Sequence, residues 1–157
     1  MTTTLTLPSP REARLPPAPQ PGITLWLLRI ALTVHALAAV AQPVIAGRYL
    51  SGDFDALTVH AANAGLVMLT TIGAFGAAVL YWAAGRGAGW PALTLAVMFV
   101  AVIAQTALGA LRVLAIHIPL GVAIVAFALG LAVWSFRPGA RRTRSSRVPI
   151  TRQEVRR

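Results

Sequence analysis

Apolar residues run almost without interruption from Ile23 to Phe136, and short polar or glycine-rich breaks divide the run into four segments. Each segment has about 20 residues or more, enough for an α-helix to cross a hydrocarbon core roughly 30 Å thick. The links between them are short, so neighbouring helices should run antiparallel. The pattern predicts an all-α fold, an integral membrane four-helix up-down bundle.

We expect helices at about 23–46, 56–84, 90–112 and 116–136. Pro91 and Pro119 fall in first turns, where a missing N–H costs little. Pro43 should bend or end the first helix.

The two ends of the chain differ from this apolar domain. Residues 1–22 are rich in proline and weakly hydrophobic, which predicts a disordered cytoplasmic tail. Residues 137–157 form a polar, basic cytoplasmic tail for which we expect no regular structure.

Charge placement predicts the orientation. The net charge is +10, and all 14 basic residues are arginines, a bias we attribute to GC-rich coding. Eight of them lie in residues 137–157 and join Arg11, Arg14 and Arg86 on one side, whereas Arg48 and Arg112 lie on the other. The positive-inside rule then places both termini in the cytoplasm of a bacterial inner membrane. All four tryptophans map to the cytoplasmic boundary: Trp26, Trp82, Trp90 and Trp134.

The basic tail also bears on partners. A cluster of arginines directly after a membrane segment sets topology and contacts anionic lipid, so we expect the lipid bilayer rather than nucleic acid as its partner. A signal-peptidase reading of the first segment rests on Ala39-Val40-Ala41, which has the small-x-small form. Arg29 and His35 interrupt the apolar run before it, which argues against cleavage.

Composition excludes several kinds of chemistry. The chain has no cysteine, so disulfides, thiolate metal sites, Fe–S clusters and covalent CxxCH haem attachment are excluded. Between Leu57 and Phe136 there is no Asp or Glu, and hence no proton relay of membrane carboxylates. No catalytic triad, phosphate-binding loop or dinucleotide fingerprint is present. Any catalysis would require a bound cofactor.

Two of the three histidines, His60 and His117, fall in the first turns of the second and fourth segments. Their predicted depths differ by only about 5 Å at 1.5 Å rise per residue. If the helices pack in sequence order around a square, these two helices are diagonal and their imidazoles can meet across the core. Histidine buried in lipid is costly and usually functional, and a porphyrin between two such imidazoles is a common arrangement.

The histidine pair also has simpler interpretations. One or both histidines could face lipid headgroups and have no further role. A zinc or copper site is a second alternative, but these metals need three or four ligands, and the nearest carboxylates, Asp53 and Asp55, lie in a loop.

Neighbouring residues suit a haem. Gly65, Gly109 and Gly121 could open a slot for a flat macrocycle, although glycine also allows helices to pack closely. Arg48 and Arg112, at the same end, could pair with the propionates, although both could instead be solvated or interfacial.

His35 lies deeper in the first segment. We expect it to hydrogen-bond a helix carbonyl or Gln105, the alternatives being a distal contact to the porphyrin or to a quinone-like ligand. Gln105 is most simply an interhelical hydrogen-bond partner.

The stretch Ala104–Gly121, AQTALGALRVLAIHIPLG, resembles the third-to-fourth helix junction of the haem A synthase family. There a Q-x-x-x-G pattern precedes a histidine that opens the next helix, and the matching positions here are Gln105, Gly109 and His117. The start of the second segment, with His60 followed by small residues, resembles the other haem-ligating helix. The chain also resembles small uncharacterised four-helix membrane proteins of high-GC bacteria, which implies no activity.

The resemblance to haem A synthases implies a four-helix bundle that holds a b-type haem between His60 and His117 near the outer face. Family members usually have eight helices and two such sites, whereas this chain corresponds to one half. The family's catalytic glutamate lies three residues before the first histidine, where this chain has Leu57, so the family's haem hydroxylation is doubtful here.

The sequence therefore predicts a small b-type cytochrome-like membrane protein with one haem b. Bis-histidine iron has no open position, so electron transfer with a redox partner, or haem holding, suits it better than oxygen chemistry. The alternative is a cofactor-free membrane accessory or assembly protein. A homodimer would rebuild an eight-helix arrangement, but no residue demands one.

Overall fold

The computed structural model describes residues 22–142 and 144 of the chain. These residues form four long helices and one short 3-10 helix: α1 at Ile23–Leu50, α2 at Ala56–Ala83, α3 at Trp90–Ala110, α4 at Leu114–Phe136, and the 3-10 helix at Pro138–Arg141. Nearly all of the predicted N-terminal tail, and most of the basic C-terminal tail, lie outside the described residues.

The four predicted helices are confirmed, and each is long and apolar enough to cross a membrane. They contain 21 to 28 residues, which corresponds to about 32–42 Å of helix. Large apolar side chains cover the outside of the bundle; Ile30, Leu69, Val97 and Val122 are at least 60% exposed. An outer surface of this kind suits lipid better than water.

Helix α1 extends beyond its predicted end. It continues through Pro43 to Leu50, so the proline does not end the helix. Proline lacks an N–H and leaves the Ala39 carbonyl without its helical partner, a defect that membrane helices tolerate when neighbouring groups compensate. Helix α4 begins two residues earlier than predicted, at Leu114, so Pro119 is its sixth residue.

The helices pack in sequence order around a square. Helix α1 packs against α2 and α4, and α3 packs against the same two helices. Helices α2 and α4 therefore face each other across a diagonal. Short links enforce this order, because each helix must return beside the one before it.

Close packing is confined to one half of the bundle. On α1 the buried positions end at Ala39, and on α3 they end at Val102. On α2, apart from Ala56, they begin at Val67, and on α4 they begin at Ile124. Leucines fill this half and small residues let the helices approach: Leu28, Leu32, Leu95, Ala74, Ala78 and Ala128. The other half is less tightly packed.

We call the close-packed end the tryptophan end, because Trp26, Trp82, Trp90 and Trp134 all lie at the helix termini there. Trp134 is at its centre. Its ring lies 4.6 Å from that of Trp90 and 6.2 Å from that of Tyr81, measured between centroids. The opposite end, which carries the α1–α2 and α3–α4 links, is the histidine end.

Regular structure extends beyond the end of α4, contrary to expectation. Where we expected no regular structure from Arg137 onward, Pro138–Arg141 forms a 3-10 helix with Ala140 buried. The buried Tyr81 hydroxyl donates a hydrogen bond to the Ala140 carbonyl at 2.8 Å, and Arg144 Nη2 donates to the Trp82 carbonyl at 2.7 Å. These contacts hold the start of the basic tail across the end of α2.

Candidate functional site

Two histidines on diagonal helices meet inside the histidine end. His60 is the fifth residue of α2 and His117 the fourth residue of α4, and both are half-buried. Their ring centroids are 6.4 Å apart and their planes lie at 60°. Imidazoles on opposite sides of one metal ion, each with a metal–nitrogen bond of about 2 Å, have centroids about 6–6.5 Å apart. The spacing therefore suits a single metal ion between the rings.

The His117 ring is held in one tautomer. Its Nδ1 lies 3.0 Å from the backbone carbonyl oxygen of Gln105, which can only accept, so Nδ1 carries the proton and donates it. The Nε2 atom then presents a lone pair. Metal-binding histidines are commonly oriented by this kind of carbonyl contact on the other nitrogen.

The Gln105 side chain lies beside the same ring. Its Nε2 is 3.4 Å from His117 Nε2, a long contact that a metal–nitrogen bond would replace. Its Oε1 is buried and has no hydrogen-bond partner among the described residues. A buried amide oxygen without a donor is unusual and marks an incompletely satisfied site.

Two glycines make room for these side chains. A Cβ atom on Gly109 would lie 2.8 Å from Cε1 of His117, and one on Gly121 would lie 2.8 Å from Nε2 of Gln105. A side chain at Gly109 would therefore displace the His117 ring, and one at Gly121 would displace the end of the Gln105 side chain. Gly65, by contrast, is exposed, and a Cβ there would contact nothing within 4 Å, so it lies away from the imidazoles.

The His60 ring contacts Gln42 on α1. With its amide oriented to suit the backbone around it, Gln42 Nε2 donates to His60 Nδ1 at 2.9 Å, and Gln42 Oε1 accepts from the Ala64 N–H at 3.0 Å. Gln42 was not among the site residues predicted from the sequence. The available signal was a polar residue in an otherwise apolar stretch, about as far from the α1–α2 link as His60.

Two adjoining cavities share the imidazoles. The inner one, of about 70 Å³, lies within the bundle and is lined by Ala39, Val67 and Ile124 as well as by the two imidazoles. The outer one, of about 390 Å³, is a groove between α1 and α4. Apolar residues of these two helices form its walls: Pro43, Ala46, Ile118, Val122, Ala126 and Leu129. The site thus combines two imidazoles and two amides with an apolar surround.

His35 lies outside this site. It is fully buried, and its Nδ1 is 3.1 Å from Thr70 Oγ1 rather than near a carbonyl or Gln105. Its Nε2 has no partner among the described residues. Asn63 donates to the Ala38 carbonyl at 2.9 Å on the same α1–α2 interface. These contacts favour a structural role for His35.

The two candidate arginines differ in their surroundings. Arg48 forms an exposed ion pair with Asp53 at 2.6 Å. Arg112 lies in the turn between α3 and α4, exposed, with a positive φ of 57°. Neither lines the cavities. Within the part of the chain that the structure describes, Arg112 has no carboxylate partner.

A metal ion bound only by protein side chains is poorly supported. Among residues 22–142 and 144, no group of three or more His, Cys, Asp or Glu side chains converges. Comparison of the chain with family models, with curated proteins and with solved structures finds no match. The arrangement of the site itself is therefore the basis for assigning a function.

Proposed function

We propose that the protein is a small b-type cytochrome-like membrane protein that holds one haem b between His60 and His117. The observation that carries the proposal is the 6.4 Å separation of the two imidazole centroids across the bundle. Because the chain offers two imidazoles and no third ligand among the described residues, it suits a porphyrin-bound iron, whose macrocycle supplies the other four nitrogens.

The surroundings of the imidazoles fit this group. The Gln105 carbonyl leaves the His117 Nε2 lone pair free for iron, Gly109 and Gly121 make space beside the rings, and the α1–α4 groove offers an apolar wall. Arg112, in the turn five residues before His117, is the cation that we assign to a propionate.

A bound haem would supply reversible one-electron transfer. The chain's own residues orient the imidazoles and surround them with apolar side chains. With His60 and His117 both serving as ligands, a bound haem would be suited to electron transfer or haem holding rather than to oxygen chemistry, and this is the function that we propose. Leu57 occupies the position of the haem A synthase family's glutamate and is half exposed on α2, so we do not propose that family's hydroxylation.

We propose an inner-membrane location with both termini in the cytoplasm. Support comes from the tryptophan end, which carries Arg29, Arg86, Arg137, Arg141, Arg142 and Arg144. The described acidic residues, Asp53 and Asp55, lie at the histidine end. By the positive-inside rule, this excess of arginine supports a cytoplasmic position for the tryptophan end. Reporter fusions to the C-terminus should be active only if the reporter functions in the cytoplasm.

The deciding experiment is the absorption spectrum of the full chain purified from haem-replete cells. We expect a sharp Soret band and resolved α and β bands on reduction. His60→Ala and His117→Ala should each abolish the low-spin bis-histidine spectrum, whereas His35→Ala, the matched histidine control, should keep it. A colourless, folded preparation would reject the haem proposal and favour a cofactor-free accessory protein.

A further inference from the structure

The Nδ1 atoms of the two imidazoles have different neighbours. His117 Nδ1 faces a backbone carbonyl, which only accepts a hydrogen bond. His60 Nδ1 faces the Gln42 amide, which presents its NH₂ group and therefore donates. The two rings are consequently held in opposite tautomers. His117 carries its proton on Nδ1, and His60 carries its proton on Nε2.

The orientation of the Gln42 amide is set by the backbone of α2. In this orientation Oε1 accepts from the Ala64 N–H, and Nε2 lies 3.3 Å from the His60 carbonyl oxygen, which is an acceptor only. Rotating the amide by half a turn would place oxygen against oxygen and N–H against N–H. The donor that faces His60 is therefore the stable arrangement of Gln42.

This arrangement opposes metal binding at His60. To bind iron through Nε2, the ring must move its proton to Nδ1, where it meets the Gln42 NH₂ group. Either the amide rotates and loses its backbone contacts, or the Nδ1 proton stays against the Gln42 NH₂ group. His117 has no such cost, because its Nδ1–H already donates to Gln105.

We propose that Gln42 makes His60 the exchangeable ligand of the haem and leaves His117 as the permanent one; this inference rests on the haem-binding function proposed above. His60 would release the metal more readily than His117, and its neutral ring would then pass one proton from Nδ1 to Nε2 through water, regaining the tautomer that Gln42 favours. The space that His60 vacates would admit a small neutral ligand of the carbon monoxide type. Gln42 is a positioning residue, because it acts through the imidazole.

The first test uses the full chain produced without haem in lipid nanodiscs. The chain has three histidines, so ¹⁵N-histidine labelling gives a spectrum that single His→Ala variants assign. We expect His60 to be predominantly protonated on Nε2 and His117 on Nδ1. Equal tautomers on the two rings, or Nδ1 protonation of His60, would overturn the inference independently of any haem.

The second test uses the haem-loaded protein. We expect His60→Ala to retain haem as a five-coordinate species that binds carbon monoxide, and His117→Ala to lose the haem. Haem loss of equal extent in the two variants would overturn the inference while leaving the haem proposal intact. A protein that never binds haem would overturn both.

Gln42→Glu supplies the control on the mechanism. A carboxylate accepts from Nδ1–H and should favour His60 as a ligand, so carbon monoxide should associate about tenfold more slowly, the equivalent of one hydrogen bond. Asn63→Ala removes a different polar contact on the same α1–α2 interface and should leave the rate unchanged. Equal effects of the two substitutions would show that Gln42 is only structural.

Discussion

The Gly109 backbone lies directly against the His117 imidazole, so close that an added Cβ would be 2.8 Å from Cε1 of the ring. Gly109 is near the C-terminal end of α3, one helical turn after Gln105, whose carbonyl accepts from the same ring. One short stretch of α3 therefore sets both the position and the tautomer of His117.

Gly109→Ala should weaken haem binding without unfolding the bundle. The methyl group displaces the ring from the Gln105 carbonyl, and loss of such an orienting contact typically lowers metal affinity about 10- to 100-fold. Alanine within a helix is favoured over glycine by about 1 kcal/mol, so stability should not fall. Haem titration followed by the Soret band and thermal unfolding measure the two effects.

Gly130→Ala on α4 is the matched control, because a Cβ there would contact nothing within 4 Å. It should bind haem like the parent protein. Equal haem affinity of the two alanine variants would contradict the role assigned to Gly109.

Arg112 and Arg48 should differ in their effect on haem. Arg48 is already paired with Asp53, and exposed pairs of this kind contribute about 0–1 kcal/mol, so Arg48→Ala should leave haem affinity unchanged. Arg112→Ala should lower it about three- to tenfold if Arg112 binds a propionate. Competition for haem with apomyoglobin measures both. Identical affinities for the two variants would reject this assignment of Arg112.

The helices and their order could be predicted because the physical constraints are few. Apolar segments of membrane-spanning length must satisfy their backbone internally, and short links force neighbours to be adjacent. Helix ends were less predictable. Pro43 was expected to bend or end α1, and it does not end the helix, because a single proline leaves the rest of the hydrogen-bond ladder intact and the helix continues to Leu50.

Within the site, the common depth of His60 and His117 in the bundle could be predicted by counting residues along antiparallel helices. Their hydrogen-bond partners could not be predicted in this way. Whether Gln42 faces His60 depends on the rotation of α1 about its axis, and this chain has weak amphipathic patterning on that helix because lipid and core are both apolar. For the same reason, the sequence did not predict that His35 would pair with Thr70.

Tyr81→Phe should loosen the start of the basic tail. The substitution keeps the ring, which packs against Trp134, but removes the hydrogen bond to the Ala140 carbonyl. A buried hydrogen bond contributes about 1 kcal/mol, so local opening should increase about fivefold. Trypsin cleavage after Arg141 should accelerate by the same factor. A Tyr49→Phe control at the opposite end should not change the rate, and an unchanged rate in Tyr81→Phe would show that the contact does not hold the tail.

Arg29→Ala should destabilise the tryptophan end. The Arg29 side chain is only 3% exposed, its Nε donates to the Ser135 carbonyl at 3.0 Å, and its guanidinium lies 4.9 Å from the Trp26 ring and 5.0 Å from the Phe136 ring. A charged hydrogen bond and the packing of the side chain are lost together, at a cost of about 2–3 kcal/mol. Thermal unfolding followed by tryptophan fluorescence should shift down by about 5–10 °C.

Arg29→Met separates packing from charge. Methionine refills the space and removes a buried guanidinium whose Nη2 has no hydrogen-bond partner within the described residues, so its loss of stability should be about half that of Arg29→Ala. Arg137→Ala, at an exposed position of the same end, should unfold like the parent protein. If Arg29→Ala and Arg137→Ala unfold at the same temperature, Arg29 does not join α1 to the end of α4. If Arg29→Met is more stable than the parent, burying the charge destabilises the protein by more than the contacts of Arg29 stabilise it.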